Sequence, residues 1–455
     1  MIAPIRTELR RSNARVTALL VAAATVLLVG NSYPYWRASS ALAAQELMVG
    51  LSLAVPLVLA CGAILGRREA RTRTVELMAS TGRPRWQRFL PTTAALGGTV
   101  TATFLLATAT LLVAVVAGDG YLGLHDVLMP LLGALILAGA TWIGIGAGRL
   151  WSSPILPPLL GAGTLVLLFV VPPVRVDGRY GLRSNLTLAI TPGAAAPWET
   201  PTTAALLARL ALAAGLITAG LLLIASRSWP GRAGAAAALA AGLAGMALIV
   251  PTGAAAKWRI DPAAQRPVCA DGLPQVCVTE VHRYLLPDVA SEARRALDAL
   301  AVLPGAPTRV AEVRLDTVGD HSEAQWRRFT PDDEPGTVYV ALGPDTSIGR
   351  DPGVAQRIVM GGGTYLSPCG PPAENAQVPM SVTGAWLLGT DDFRVWLPTF
   401  GYWLSDELQP EIRERLRALR ALPRAEQLAR VTAVRDAARR CEPDLMTPLT
   451  AGTTP

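Results

Sequence analysis

The chain has 455 residues, 51% of them hydrophobic and 16% charged, with a formal net charge of +7. That charge is unevenly held: residues 1–251 carry 19 Lys+Arg against 8 Asp+Glu, net +11, and residues 252–455 carry 22 against 26, net −4. The division argues against nucleic acid as a partner, because the basic half is apolar and its arginines sit at the ends of apolar runs, where they suit anionic lipid headgroups.

Arg6, Arg10, Arg11 and Arg15 precede the first apolar run, 16–33, which ends in an interfacial aromatic cluster at Tyr33, Tyr35 and Trp36. No small-residue cleavage site follows it, so it reads as an uncleaved span. Six further runs fit a bilayer at about 1.5 Å rise per residue: 47–65, 91–117, 127–146, 155–171, 203–224 and 233–250. The fifth is the shortest and has Pro157 and Pro158 near its start, which predicts a broken or tilted helix. The seventh is almost all Ala and Gly, which makes it the least hydrophobic. With the N-terminus inside, fourteen arginines fall in cytoplasmic segments and four, Arg37, Arg175, Arg179 and Arg183, in external ones. This positive-inside imbalance and the odd number of spans place the C-terminal half outside.

No acidic residue lies within any of the seven runs, and Arg209, about two turns into the sixth, is the only charged one. Near a helix end an arginine commonly snorkels to the interface, and the functional alternative makes Arg209 part of a substrate path. The lack of ionisable relays argues against a proton-driven transporter. Dense small residues, among them Gly97, Gly98, Gly133, Gly139, Gly144 and Gly146, suit close helix packing and a homodimer or a second subunit of the same kind.

Beyond the last run the pattern is that of an α+β domain. Residues 288–300 form an amphipathic helical pattern, 308–315 and 337–342 alternate as strands, and 410–422 and 424–440 read as helices split by Pro423. Trp386, Trp396 and Trp403 with Phe393, Phe400 and Tyr402 form a local aromatic cluster. Cys269, Cys277, Cys369 and Cys441 all follow the last run, and an even number in an oxidising compartment predicts two disulfides with three connectivities open. Cys269 and Cys277 are the nearest pair and can close a hairpin around Gly272-Leu273-Pro274. Cys61, inside the second run, reads as a packing residue. Zinc is the alternative for the four, but the close CxxC spacing is absent and His282 and His321 show no ligand pattern. There is no HExxH, no G-x-S-x-G and no GxxxxGK[ST] in the chain, so no enzyme activity and no cofactor are expected of it. Gly361-Gly362-Gly363 reads as a glycine turn ahead of an anion nest.

The stretch 67–89 is the most informative short segment. It runs from Arg67-Arg68-Glu69 through Val75-Glu76-Leu77-Met78 to Gly82-Arg83-Pro84-Arg85-Trp86-Gln87-Arg88-Phe89. Gly82 is a helix stop and Pro84 suits the first turn of the next helix, so a short helix at the cytoplasmic surface is expected. A basic lead-in, Glu-Leu with small residues, a turn and an Arg-Trp-x-Arg re-entry resembles the coupling helix of ABC-2 type exporter permeases and is similar to the matching segment of FtsX-like permeases. The resemblance covers about 23 residues closely and the six-span order of the first half loosely. It implies a separate ABC ATPase subunit as partner, met by Val75, Glu76, Leu77, Met78, Arg83, Arg85 and Trp86. Two departures stand: only about a dozen residues join the first two runs, where an FtsX-like permease carries its ectodomain, and a seventh span carries the C-terminus out.

The expected fold class is therefore an α-helical polytopic membrane protein of about seven transmembrane helices with a C-terminal α+β extracytoplasmic domain. Its transmembrane permease-like domain spans 1–251 and its extracytoplasmic domain 252–455, an arrangement similar to some actinobacterial permeases. The expected function is that of a plasma-membrane ABC exporter permease; a membrane-anchored sensor or scaffold, whose outer domain binds a peptide or envelope partner, is the alternative.

Overall fold

A computed structural model describes residues 14–31, 36, 39–68, 85–170, 175–176, 179–180, 196–226, 228–249, 257–314, 334–342, 353–365, 374–394, 396–397, 402–403 and 406–451. The chain divides into two compact units, Met1–Asp261 and Pro262–Pro455.

The first unit is a helical bundle. Its helices are α1 (Ala14–Asn31), α2 (Ser40–Gly66), α3 (Arg85–Ala117), α4 (Leu124–Leu150), α5 (Leu156–Leu165, continued by a π-helical turn Val166–Val170), α6 (Thr203–Ala225) and α7 (Trp229–Ile249). Five are long and apolar enough to cross a membrane: Ser40–Gly66, Leu90–Ala117, Leu124–Leu150, Thr203–Ala225 and Trp229–Ile249. The first and fifth expected spans correspond to shorter apolar helices, Ala14–Leu27 and Leu156–Phe169, so five spans rather than seven meet the length requirement among the described residues. Pro157 and Pro158 occupy the first positions of α5, and its helical bonding passes into the wider π pattern after one short run.

An apolar medium leaves the backbone to satisfy itself, which only a helix does within one segment. The hydroxyls follow the same rule: Thr25, Thr103, Thr108 and Thr141 each donate to the carbonyl four residues back, at 2.7–2.9 Å.

Glycines set the packing. Gly62 and Gly66 on α2 face Gly144 and Gly148 on α4, each pair one helical turn apart, so the two backbones touch. A Cβ at Gly62 would lie 2.6 Å from the Thr141 carbonyl oxygen; one at Gly66, Gly144 or Gly148 would overlap the carbonyls of Ile145, Leu59 or Ala63. Gly139 and Gly146 receive Leu216 and Leu223 of α6, Gly220 receives Trp142 of α4, and Gly215 meets Gly242 of α7. Matching positions advance together along α2, α4 and α6, so these three helices run parallel, while α3 and α7 run antiparallel to their neighbours α4 and α6. The helices α2 and α4 are the most enclosed, and α7 shows most of its surface outward.

In this unit a short antiparallel pair joins β1 (Glu199–Pro201) to β2 (Trp258–Ile260). The second unit centres on a sheet of four strands in the order β3 (Pro267–Cys269), β4 (Gln275–Thr279), β5 (Arg309–Glu312) and β6 (Thr337–Val340); β3–β4 is antiparallel and the rest parallel. Val276, Val278, Val310, Val338 and Val340 alternate along the strands and are buried. They share the core with Val289, Ala293, Ala296, Leu297 and Leu300 of α8 (Leu286–Leu300), whose apolar residues recur at helical spacing. The remaining helices are α9 (Gly353–Val359), α10 (Gln377–Leu388), α11 (Gln409–Arg420), α12 (Arg424–Arg439) and α13 (Met446–Thr450). The α+β pattern expected from the sequence is present, with strands a few residues shorter.

Gly361, Gly362 and Gly363 all have positive φ, of 62°, 72° and 86°, which no run of L side chains tolerates. The turn is filled rather than open. A Cβ at Gly362 would strike the Arg435 stem, whose guanidinium donates to the Pro304 and Gly305 carbonyls at 2.6 and 2.8 Å. Trp386 and Phe393 of the aromatic cluster are buried, with Trp386 Nε1 donating to Gln427 Oε1 at 2.7 Å.

The backbone contact between α2 and α4 yields a contrast between glycines. Gly148→Ala is expected to destabilise the bundle by about 1–3 kcal/mol, because neither helix can retreat without losing its other contacts. Gly98→Ala, with nothing within 4 Å of the added carbon, is expected to be neutral or slightly stabilising. Thermal unfolding in detergent compares the two; equal melting temperatures would contradict the packing described.

Candidate functional site

The two ends of the bundle differ in chemistry. At one end lie Arg15, Arg67, Arg68, Arg85, Arg88, Arg149 and Arg232, with no acidic group among the described residues there. Arg67 Nε donates to the Ser152 carbonyl at 2.9 Å, and Arg149 Nη1 donates to the Ile224 carbonyl at 2.5 Å. Both carbonyls are at helix C-termini or just past them, where the dipole favours a cation. These two bonds tie the ends of α2, α4 and α6 together.

At the other end α2, α4 and the chain entering α6 meet at one carboxylate. Asp126, in the first turn of α4, is 3% exposed. Ser40 Oγ donates to its Oδ2 at 2.8 Å, and Thr200 Oγ1 donates to its Oδ1 at 2.9 Å. Ser40 Oγ also accepts from the Gly123 amide at 2.8 Å, so the hydroxyl relays between the cap of α4 and the carboxylate. A carboxylate in the first turn of a helix is favoured by the unpaired amides there.

Around this node the chain is stitched further. Ser39 Oγ donates to the Pro197 carbonyl at 3.1 Å, and Ser40 N donates to the Tyr121 carbonyl at 3.0 Å. Tyr121 Oη donates to Asp261 Oδ2 at 2.7 Å, and Arg259 Nη2 lies 3.3 Å from His125 Nδ1. Thr202 caps α6 and takes its own amide to the Lys257 carbonyl at 3.0 Å. Burial pushes the Lys257 ammonium down to about 8. Residues 257–261 are thereby held on the bundle end, and they belong to the first unit rather than to the domain expected to begin at 252. Trp36 is buried and donates from Nε1 to the Val29 carbonyl at 2.7 Å.

The second unit holds a separate buried polar group. Glu312, on β5, takes the inward place that a valine fills on the neighbouring strands. Its Oε2 accepts from Thr279 N at 2.6 Å and Thr279 Oγ1 at 2.7 Å, and its Oε1 accepts from His282 Nδ1 at 2.5 Å. The His282 and Glu312 side chains are each 1% exposed, so the pair fixes the β4–α8 connection against β5.

Of the residues singled out in the sequence, Val75, Glu76, Leu77, Met78 and Arg83 lie outside the described residues. Arg85 and Trp86 begin α3. Arg209 is 3% exposed within α6, so it does not snorkel to the surface of the bundle. Cys269 and Cys277 form a disulfide, Cys441 is disulfide-bonded, and Cys61 is a free thiol. Cys369 lies outside the described residues. The second and fourth helices start earlier than the apolar runs, so Glu46 and Asp126 fall inside candidate spans, contrary to the expectation of none. Asp126 was legible only as a first-turn acid after Gly123; its partners lie 86 and 74 residues away. No family model, no curated protein and no solved structure matches the chain.

Removing the Asp126 carboxylate would leave two buried hydroxyls without an acceptor. Asp126→Ala is expected to cost about 2–4 kcal/mol, and clearly less when Ser40→Ala and Thr200→Val are already present. Unfolding of the unmodified chain, Asp126→Ala, the Ser40→Ala/Thr200→Val pair and their combination in detergent measures the coupling; additive losses would show that the node does not act as a unit.

Proposed function

We propose that this chain is the membrane-spanning permease subunit of an ATP-driven exporter of the ABC-2 type, with the ATPase on a separate subunit. It sits in the cell membrane with its N-terminus in the cytoplasm and the chain beyond α7 outside. All seven apolar helices cross, α1 and α5 as short spans. The sequence resemblance at 67–89 brings the ABC-2 family into view. The observation that carries the reading is where the segment is rooted: it leaves from Arg67, bonded to the end of α4, and returns at Arg85, at the arginine-rich end of the bundle.

That rooting supports a coupling role. A push on the segment acts directly on α2, and α2 is joined backbone to backbone with α4 through Gly62, Gly66, Gly144 and Gly148. Closely packed elements shift as bodies rather than deforming gradually. A tilt of the pair at the arginine-rich end would reach the Ser40–Asp126–Thr200 node at the other, about 40 Å away at 1.5 Å per residue of helix. Arg209, buried within α6, is assigned to the path of an anionic or amphipathic substrate.

Orientation is tested by labelling intact cells with a membrane-impermeant maleimide. Glu411→Cys, on an exposed turn of α11, is expected to label from outside, and Gly82→Cys only after permeabilisation. Outside labelling at position 82, or none at 411, would contradict the orientation.

Coupling is tested by Leu77→Asp with Met78→Asp. Burying one such side chain contributes about 1.5–3 kcal/mol, so losing two weakens a contact several-hundred-fold or more. The double variant is expected to insert normally and lose the co-purifying ATPase. Undiminished association would contradict the coupling role and favour the sensor or scaffold.

A further inference from the structure

We propose that Cys269–Cys277 is an exchangeable disulfide with a fixed polarity: an external thiol enters at Cys269, and Cys277 is the sulfur that leaves. The inference is independent of the transport reading.

The two cysteines face each other directly across β3 and β4. The ladder bonds flank them: Ala270 N donates to the Val276 carbonyl and Glu280 N to the Arg266 carbonyl, both at 2.8 Å. Hydrogen-bonded pairs therefore fall at 270/276 and 266/280, with 268/278 between them in the alternation. The 269/277 pair is of the non-hydrogen-bonded kind, in which the strands' Cα atoms approach most closely, here 4.0 Å. Opening this disulfide removes none of the ladder bonds, so the hairpin keeps its register through a cycle of exchange.

The two sulfurs have unlike surroundings. Cys269 is exposed on β3, an edge strand of the sheet. Cys277 is 2% exposed on β4. Beside it, Arg309 Nη2 lies 3.7 Å from the Cys277 sulfur. Cys277 and Arg309 share the wall of a cavity of about 70 Å³ with Thr279, Glu334 and Tyr339, which gives the sulfur room to turn once released. A neighbouring guanidinium stabilises a thiolate, and a disulfide breaks faster when its leaving sulfur is the better thiolate. Glu334 forms an ion pair with the same guanidinium and so competes with the sulfur for its charge.

The step balances without a further reagent. An external thiolate bonds to Cys269 Sγ, the Cys269–Cys277 bond breaks, and its electron pair goes to Cys277 Sγ as a thiolate against Arg309. If the reagent is a dithiol, its second sulfur then displaces Cys269. The dithiol is oxidised to a disulfide, and the two cysteines are reduced by two electrons. The partner class is accordingly a thiol or dithiol, small or carried on a protein.

The test uses the full chain in mild detergent with glutathione as the probe, acid quenching, alkylation of free thiols and peptide mass mapping. Glutathione is expected on Cys269 and the alkylating group on Cys277. Arg309→Gln is expected to slow adduct formation by about 3–10-fold, and Arg309→Lys to restore most of the rate. Glu334→Gln, which frees the guanidinium, is expected to accelerate it. The signs separate leaving-group stabilisation from simple loosening, because a loosened hairpin would react faster in Arg309→Gln. An adduct on Cys277, no adduct on either cysteine, or an unchanged or faster rate in Arg309→Gln would overturn the proposal.

Discussion

The backbone contact between α2 and α4 is the constraint on which the helical unit depends. Four glycines, one helical turn apart on each helix, let the two chains meet with no side chain between them. In lipid there is little hydrophobic gain from joining two apolar helices, so van der Waals contact and weak Cα–H···O bonds supply the attraction. Both improve steeply as the backbones close. That contact fixes α4 beside α2, and α4 then offers its own Gly139 and Gly146 to α6. The parallel run of three helices follows, as does the gathering of their N-termini at one end and their C-termini at the other.

This arrangement puts opposite chemistry at the two ends. Helix N-termini present unpaired amides and favour anions, and here Asp126 takes that place under two hydroxyls. Helix C-termini present carbonyls and favour cations, and here Arg67 and Arg149 bond to them. The arginines that read as a topology signal in the sequence therefore also have a structural use. Each end is cross-tied by long-range hydrogen bonds, and the glycine seam lies between. A bundle so built shifts as a body rather than yielding at flexible side chains. The second unit is built on other terms: a valine-rich mixed sheet under α8, a buried His282–Glu312 pair and disulfides in place of lipid.

Much of the fold was legible because its signals are local. Hydropathy located the seven apolar helices of the first unit, period-two and period-3.6 patterns located β5, β6, α8, α11 and α12, and an eight-residue separation singled out Cys269–Cys277, while the buried helices α9 and α10 were missed. Helix ends were misplaced where polar residues continue a span. Ser40, Glu46 and Asp126 lowered the local hydropathy, while the burial of Ser40 and Asp126 depends on partners brought in by tertiary packing. The same reason hid the Glu312 site, where a carboxylate occupies a strand position that alternation assigns to the core. Its partners Thr279 and His282 are 33 and 30 residues away, and no spacing rule joins them. Arg209 looked like a snorkelling residue from its distance to the helix end, but packing encloses it. The fifth run was placed almost to the residue, while the π turn that ends it was not legible in the sequence.

The central claim is that the segment 67–89 meets an ATPase in the cytoplasm. The most direct measurement places a photo-cross-linking amino acid at position 77 in the full chain, irradiates living cells and identifies the adduct by mass spectrometry. An adduct to a protein carrying a nucleotide-binding P-loop is the expected result. Adducts only to lipid, or only to proteins without such a motif, would contradict the claim.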